Sequence, residues 1–270
     1  MIVLIRGGGD LASGVALRLH RLGLQVVITE LPQPLAVRRL VSFSEAIYAG
    51  QWTVEGVIAR RVEDPTDTLR ILQVYTRGQV PVLVDPEAVA IQNLHPTVVI
   101  DARMLKRPAE LIRSPVKLII GLGPGFTVGE NCHTVIETKR GHMLGRVIWQ
   151  GSSEPDTGVP DSVGDYRSER VLRSPAEGVL NPAVVIGDHL EGGQLICDVA
   201  GVPVIAPFRG VLRGLIHNSV RLTPGMKIGD VDPRDDPRHC ALVSDKSLAI
   251  AGGVIEAMLS RPELRKSLWV

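Results

Sequence analysis

An α/β region on a parallel sheet, then a small closed all-β unit and a terminal helix, is the architecture that the 270-residue sequence predicts. Three observations carry it. A strand, a helix and a strand succeed one another within the first thirty residues. A series of later apolar runs each ends in Asp, Gly or Pro. The last third of the chain contains an internal repeat.

Ile2 to Ile5 is a short apolar run with β-branched residues that stops at a glycine turn, as a buried strand does. Leu11, Val15, Leu19 and Leu22 follow at the spacing of one helix face, and Gly23 ends the helix. Gln25 to Thr29 is a second buried strand closing at Glu30, which completes a βαβ unit with a right-handed crossover. Val54 to Val62 reads as extended. Asp64 to Arg77 reads as a helix, with Asp64 as N-cap and Pro65 at the first helical position. Val80 to Val84, Thr97 to Ile100 and Lys117 to Ile120 are further strands, and Thr134 to Thr138 with Met143 to Trp149 form a hairpin-like pair.

Gly151 to Tyr166 is rich in Gly, Pro, Ser and Asp without periodicity and reads as a linker. Beyond it, Pro175/Pro207, Gly178/Gly210, Val179/Val211, Leu180/Leu212, Gly193/Gly225, Ile196/Ile228, Asp198/Asp230 and Val199/Val231 all match at an offset of 32 positions. Each half holds short strands between turns. Two repeats cannot cap an open solenoid, so closure into one small β unit is expected. Leu248, Ala251, Ile255 and Met258 place a helix over Ser244 to Leu259. The expected organisation is an α/β domain over 1–150, a linker over 151–170, a β domain over 171–234 and a helical segment over 235–270.

Composition excludes several classes. A formal net charge of +1 gives no bulk attraction to nucleic acid or anionic membranes, and 3% aromatic residues leave few base-stacking platforms. Three cysteines without a C-x-x-C make neither a disulfide framework nor a zinc knuckle, and no other metal-ligand spacing is seen. With no signal peptide and no apolar run of membrane-spanning length, a cytoplasmic location is expected.

The turn Gly7-Gly8-Gly9-Asp10-Leu11-Ala12 fits G-x-G-x-x-A between a strand and a helix, with Glu30 at the end of the next strand. This is the Rossmann-like pattern: small residues admit a pyrophosphate to the helix N-terminus, and the acid receives a ribose hydroxyl. A tight strand-to-helix turn that meets no nucleotide satisfies the same pattern. Asp10 at its mouth is open to capping the helix, to repelling phosphate, or to meeting a cationic or hydroxyl-rich ligand.

A second constellation follows later strands. Asp101-Ala102-Arg103 and Gly121 to Phe126 fall at the same sheet edge, and Gly123 and Gly125 suit an anion nest. Arg140, His142 and Arg146 lie among glycines and suit a phosphate, although a solvated basic turn has the same composition. Cys132 beside His133 is a poor thiolate pair, since neighbours on a strand face opposite sides. No catalytic residue is assigned.

The repeat resembles the barrel-sandwich hybrid of biotinyl and lipoyl carrier domains, where the acceptor lysine sits on the hairpin joining the halves. Here that hairpin is Asp198-Val199-Ala200-Gly201-Val202-Pro203 and has no lysine, while Lys227 lies well inside the second half, so a docking or oligomerisation module is favoured over a carrier. Larger blocks are similar to the YqeB-type proteins of the selenium-dependent molybdenum hydroxylase system. They include Ile5 to Ala16, Thr29-Glu30-Leu31, Arg38-Arg39, Val54 to Val57, Val99 to Met104, Gly121 to Phe126, Glu137 to His142, Leu144 to Val147 and Lys227 to Arg234. The family is also similar in role to XdhC-type chaperones of the molybdenum cofactor.

That resemblance implies an accessory protein for maturation of a molybdenum hydroxylase, with the hydroxylase as client and a phosphate-bearing ligand. The ligand would be the molybdenum cofactor or a nucleotide, held at Gly7, Gly8, Gly9, Asp10, Ala12, Glu30, Gly123, Gly125, Arg140, His142 and Arg146 in one crevice. Cys132 is the cysteine nearest that expected pocket. The alternatives are an NAD(P)-dependent oxidoreductase using Gly7, Gly9 and Glu30, and a non-catalytic adaptor whose Rossmann-like half is empty. Homo-oligomerisation is left open.

Overall fold

A computed structural model describes residues 1–156 and 168–266. The middle of the expected linker and the last four residues lie outside the described residues. The predicted opening unit forms as β1 (Ile2–Arg6), α1 (Asp10–Arg21) and β2 (Gln25–Glu30), with β1 and β2 parallel from Ile2↔Gln25 to Arg6↔Thr29. Next come α2 (Glu45–Ala49), β3 (Gln51–Val54), β4 (Val57–Val62), α3 (Thr68–Thr76), β5 (Val80–Val84), α4 (Ala90–Leu94) and β6 (Val98–Asp101). Then follow β7 (Leu118–Leu122), β8 (Thr134–Ile136) and β9 (Val147–Ile148). These nine strands form one sheet in the order β3-β4-β5-β2-β1-β6-β7-β8-β9.

The central strands are buried on both faces, which explains their unbroken apolar runs. Val3 and Ile5 join the core beneath α1, while Leu4 between them joins the core beneath α3 and α4 on the opposite face. The predicted extended stretch over 54–62 is a hairpin. Glu55 (φ 44°) and Gly56 (φ 84°) both take left-handed conformations, the geometry of a two-residue turn between twisted strands. Helix α3 starts later than expected. Asp64 is consumed in a local turn, accepting from the Thr66 amide at 2.8 Å, and Asp67 caps the helix by accepting from the Arg70 amide at 2.8 Å.

Seven strands follow: β10 (Val171–Arg173), β11 (Leu180–Pro182), β12 (His189–Leu190), β13 (Leu195–Val199), β14 (Val202–Ile205), β15 (Gly210–Leu215) and β16 (Lys227–Asp232). The repeat is visible in their pairing. Leu180 faces Val199 in the first half, and Leu212 faces Val231 in the second, the same register displaced by the repeat offset. The chain ends in α5 (Arg238–Ala241), α6 (Asp245–Leu259) and α7 (Pro262–Lys266).

The expected fold class is corrected on three points. The main sheet is mixed, not a parallel Rossmann-like sheet: β3 runs antiparallel to β4, and β9 antiparallel to β8. The connections between β6 and β7 and between β7 and β8 contain no helix, so the face beside α1 is left to a helix from the far end of the chain. That helix is α6, which packs against α1 and contributes Ile250, Ala251, Val254, Ala257 and Met258 to the same core. The terminal helix is therefore part of the α/β layer and no appendage to the β unit. Finally, the repeat does not close into the expected barrel-sandwich hybrid. Its described strands form two sheets, β10-β16-β15-β12 and β11-β13-β14, which share one apolar core but leave open edges.

Candidate ligand cleft

The carboxyl ends of β1, β2, β5 and β6 surround a cleft of about 410 Å³. Its floor is the glycine turn. Gly7 has φ +89°, a conformation that favours glycine, its amide donates to the Thr29 carbonyl at 2.8 Å, and it lies against the Ala102–Arg103 backbone, which a Cβ would meet at 3.4 Å. The Gly8 amide donates to Glu30 Oε2 at 2.7 Å, and the Leu31 amide donates to Glu30 Oε1 at 2.7 Å. Gly8 is pinned from behind, since its carbonyl accepts from the Ser44 amide at 2.9 Å and from Ser13 Oγ at 3.0 Å. Gly9 begins α1, and a Cβ added to it would meet nothing within 4 Å, so it borders open space.

Glu30 sits among Leu11, Leu31, Leu35 and Ala36 on the cleft wall. Burial raises its carboxyl above the ordinary glutamate value, outweighing the two amide hydrogen bonds that favour the charged form. Asp10, at the mouth, faces Arg38, whose Nη1 lies 3.4 Å from Asp10 Oδ2. Arg38 Nη2 donates to the carbonyls of His239 (3.1 Å) and Leu242 (3.3 Å), tying the cleft to the C-terminal segment.

Two arginines line the cleft, and both are already paired. Arg6, only 4% exposed, lies 3.5 Å from Asp101 Oδ2 and 2.5 Å from Glu110 Oε1. Arg103 grips the same two carboxylates, with Nε 2.9 Å from Asp101 Oδ1 and Nη2 2.8 Å from Glu110 Oε1. Partial burial would raise the Glu110 carboxyl, but its own amide, the Arg6 hydrogen bond and the two positive charges hold it down at about 2. Sequence reading missed this four-membered network. Its only local trace is that Arg6 and Asp101 each close a predicted strand. Their meeting requires β1 and β6 to be neighbours, in register Arg6↔Asp101.

Of the residues expected in one crevice, Gly7, Gly9, Asp10, Ala12 and Glu30 line the cleft. Gly8 stands behind them, its amide spent on Glu30. Gly123, Gly125, Arg140, His142 and Arg146 do not line it, and the three-segment crevice is corrected accordingly. The Gly123 amide donates to the Ile136 carbonyl at 3.0 Å, so the expected anion nest is closed there. A Cβ at Gly123 would come 2.4 Å from Thr138 Oγ1, and one at Gly125 would come 2.6 Å from the Arg107 carbonyl. Those glycines therefore serve close packing. Arg140 pairs with Asp245 at 2.7 and 2.8 Å, at the start of α6, and Arg146 Nε donates to the His142 carbonyl at 3.1 Å. His142 is exposed. Cys132 is buried, which pushes its thiol up to about 11 and disfavours the thiolate. Among the described residues no group of three or more His, Cys, Asp or Glu side chains converges on a metal site. No described helix is long and apolar enough to cross a membrane.

No family model matches the chain. It is similar to the uncharacterized protein YqeB of Escherichia coli (strain K12), with 41% identity over 258 residues, covering 96% of this chain and 47% of that protein. The chain thus spans about half the length of the curated relative it matches. It is also similar to an aspartoacylase family protein from Mesorhizobium loti, with a TM-score of 0.27 and 11% identity over 85% of this chain and 83% of that one. A succinylglutamate desuccinylase/aspartoacylase from Rhodobacter sphaeroides gives a TM-score of 0.26 and 14% identity over 85% and 84%. At such scores no activity passes from those structures to this one. The YqeB resemblance stands at the level of sequence, but the role attached to it does not. The relative is uncharacterized and so lends this chain no role. The expected maturation role, with its molybdenum-cofactor and nucleotide-binding readings, is overturned. The physical reason lies in the cleft itself, where the Gly8 amide is spent on Glu30 and Arg6 and Arg103 are both engaged by Asp101 and Glu110.

Proposed function

We propose that the chain is a small-molecule-binding protein whose cleft takes a largely apolar ligand bearing a hydrogen-bond donor, a hydroxyl or an ammonium group. The observation that carries this reading is Glu30. Its carboxylate is set into a wall of leucines, with each oxygen accepting one backbone amide and retaining a lone pair. Leu31 and Leu35 remain 40% and 50% exposed at the rim, and a bound apolar body would cover them. The volume lies within the ordinary range of ligand pockets, and the wall combines apolar side chains with polar groups that can orient a small ligand.

Benzylamine, benzyl alcohol and benzyl methyl ether separate a donor from mere apolar fit. Calorimetric titration should show the amine and the alcohol binding, and the ether binding more weakly. A Glu30→Leu variant should lose the preference. A charge-assisted hydrogen bond is worth roughly 1.5–3 kcal/mol, so the amine should weaken by about ten- to hundredfold. Equal binding of amine and ether by the native protein, or an unchanged preference in the variant, would refute the proposal.

A further inference from the structure

A second cavity, of about 320 Å³, lies where the α/β layer meets the β unit. One wall is Arg39, Leu40, Glu45 and Trp52. The other is built by the segments 180–186 and 215–218. The two layers are fastened beside it: the Tyr48 and His217 rings stack at 3.7 Å with 5° between their planes, and Tyr48 packs against the core of the β unit. The cavity is thus a fixed part of a packed junction.

Its chemistry is divided between two ends. Leu180, Leu215 and Ile216 are buried side chains that form an apolar floor, with Val184 and Ile186 beside them. At the other end, Arg39 is held as a fork on the buried Glu45, with Nε 2.7 Å from Oε2 and Nη2 2.5 Å from Oε1. That pairing spends one edge of the guanidinium. Among the described residues Nη1 has no partner, and two of its donors remain for a ligand. Glu45 fixes the orientation of the fork. His217, lowered first by burial, is lowered further by the Arg39 charge and raised less by Glu45. Asn218, at the rim, adds an amide donor.

We infer that this junction cavity is a second ligand site, distinct from the cleft at Glu30, and that it takes a small apolar or aromatic carboxylate. The hydrocarbon body lies on the Leu180–Leu215–Ile216 floor, and the carboxylate meets the free edge of Arg39. An occupant bridges the two layers, so it also stabilises their junction.

Calorimetric titration with 2-naphthoate and with methyl 2-naphthoate, its uncharged ester, tests the assignment. The acid should bind at least tenfold more tightly than the ester and raise the thermal midpoint. Arg39→Gln should remove the preference for the acid. Because that change leaves Glu45 buried without its cation, a second variant is used. Val185 lines the cavity but is 67% exposed, so Val185→Trp should fold normally while filling the space, and it should abolish binding of both compounds. Glu30→Leu should leave naphthoate binding unchanged, which separates this site from the cleft. Equal affinity for acid and ester, native binding in Val185→Trp, or loss of binding in Glu30→Leu would each overturn the inference.

Discussion

Two adjacent glycines in α6 isolate the packing of the C-terminal helix on the α/β layer. Gly252 is exposed, and a Cβ there would meet nothing within 4 Å. Gly253 is buried, and a Cβ there would fall 2.1 Å from the Gly145 carbonyl oxygen and 3.0 Å from Ile136 Cγ2. The obstacle is backbone, and it is itself confined, because Gly145 (φ +77°) approaches so closely that its own Cβ would lie 2.5 Å from the Ala249 carbonyl. Alanine at either site gains the same helix propensity, about 0.5–1 kcal/mol over glycine. Only Gly253→Ala must also push α6 away, from 2.1 Å to at least 3.0 Å, a retreat of about 0.9 Å. Overpacking of this kind costs roughly 1–3 kcal/mol. Since propensity cancels between the variants, Gly253→Ala should be less stable than Gly252→Ala by about 1–3 kcal/mol. Urea unfolding with linear extrapolation measures the difference, and Gly252→Ala should unfold at higher urea than the native chain. If Gly253→Ala proves as stable as Gly252→Ala, then α6 does not pack as tightly on the 141–146 turn as the structure has it, and the account of how the C-terminal segment completes the α/β layer fails.

Two further outcomes concern charge. Asp230, 1% exposed, is ion-paired to both Arg170 and Arg213, so Asp230→Ala should take a shared buried carboxylate from two arginines and cost about 3–5 kcal/mol in urea unfolding, and a loss below about 1 kcal/mol would refute the pairing. Asp232 is held at about 2, since hydrogen bonds from Arg234 and the charges of Arg213 and Arg234 outweigh its burial, and Asp245 is held at about 2 chiefly by its hydrogen bond to Arg140. Both folded values lie below the ordinary aspartate value of about 4, so their contribution is complete above that pH and is lost as pH falls toward 2. Urea midpoints measured from pH 6 to 2 should therefore decline below about pH 4, and the decline should be shallower in Asp232→Asn.

The sequence by itself determined the local units of this protein. The βαβ opening follows from short apolar runs around one helical period, and Gly7 through Glu30 lie as the glycine turn requires. The repeat was legible down to its pairings, Leu180 with Val199 and Leu212 with Val231, because turn glycines and alternating strands are short-range signals. Tertiary structure decided the rest. Whether a repeat closes into a barrel or stays as two sheets depends on strand edges meeting in space, which no periodicity encodes. Arg140, expected to hold an anion, is paired with Asp245, 105 residues away, and Arg6, which the sequence did not single out, is paired with Asp101, 95 residues away. A charge read from sequence is a charge without its counterion. Only the adjacency of β1 to β6, and of α6 to the 140–146 segment, shows that these arginines have counterions of their own, and only the folded cleft shows Glu30 on its wall.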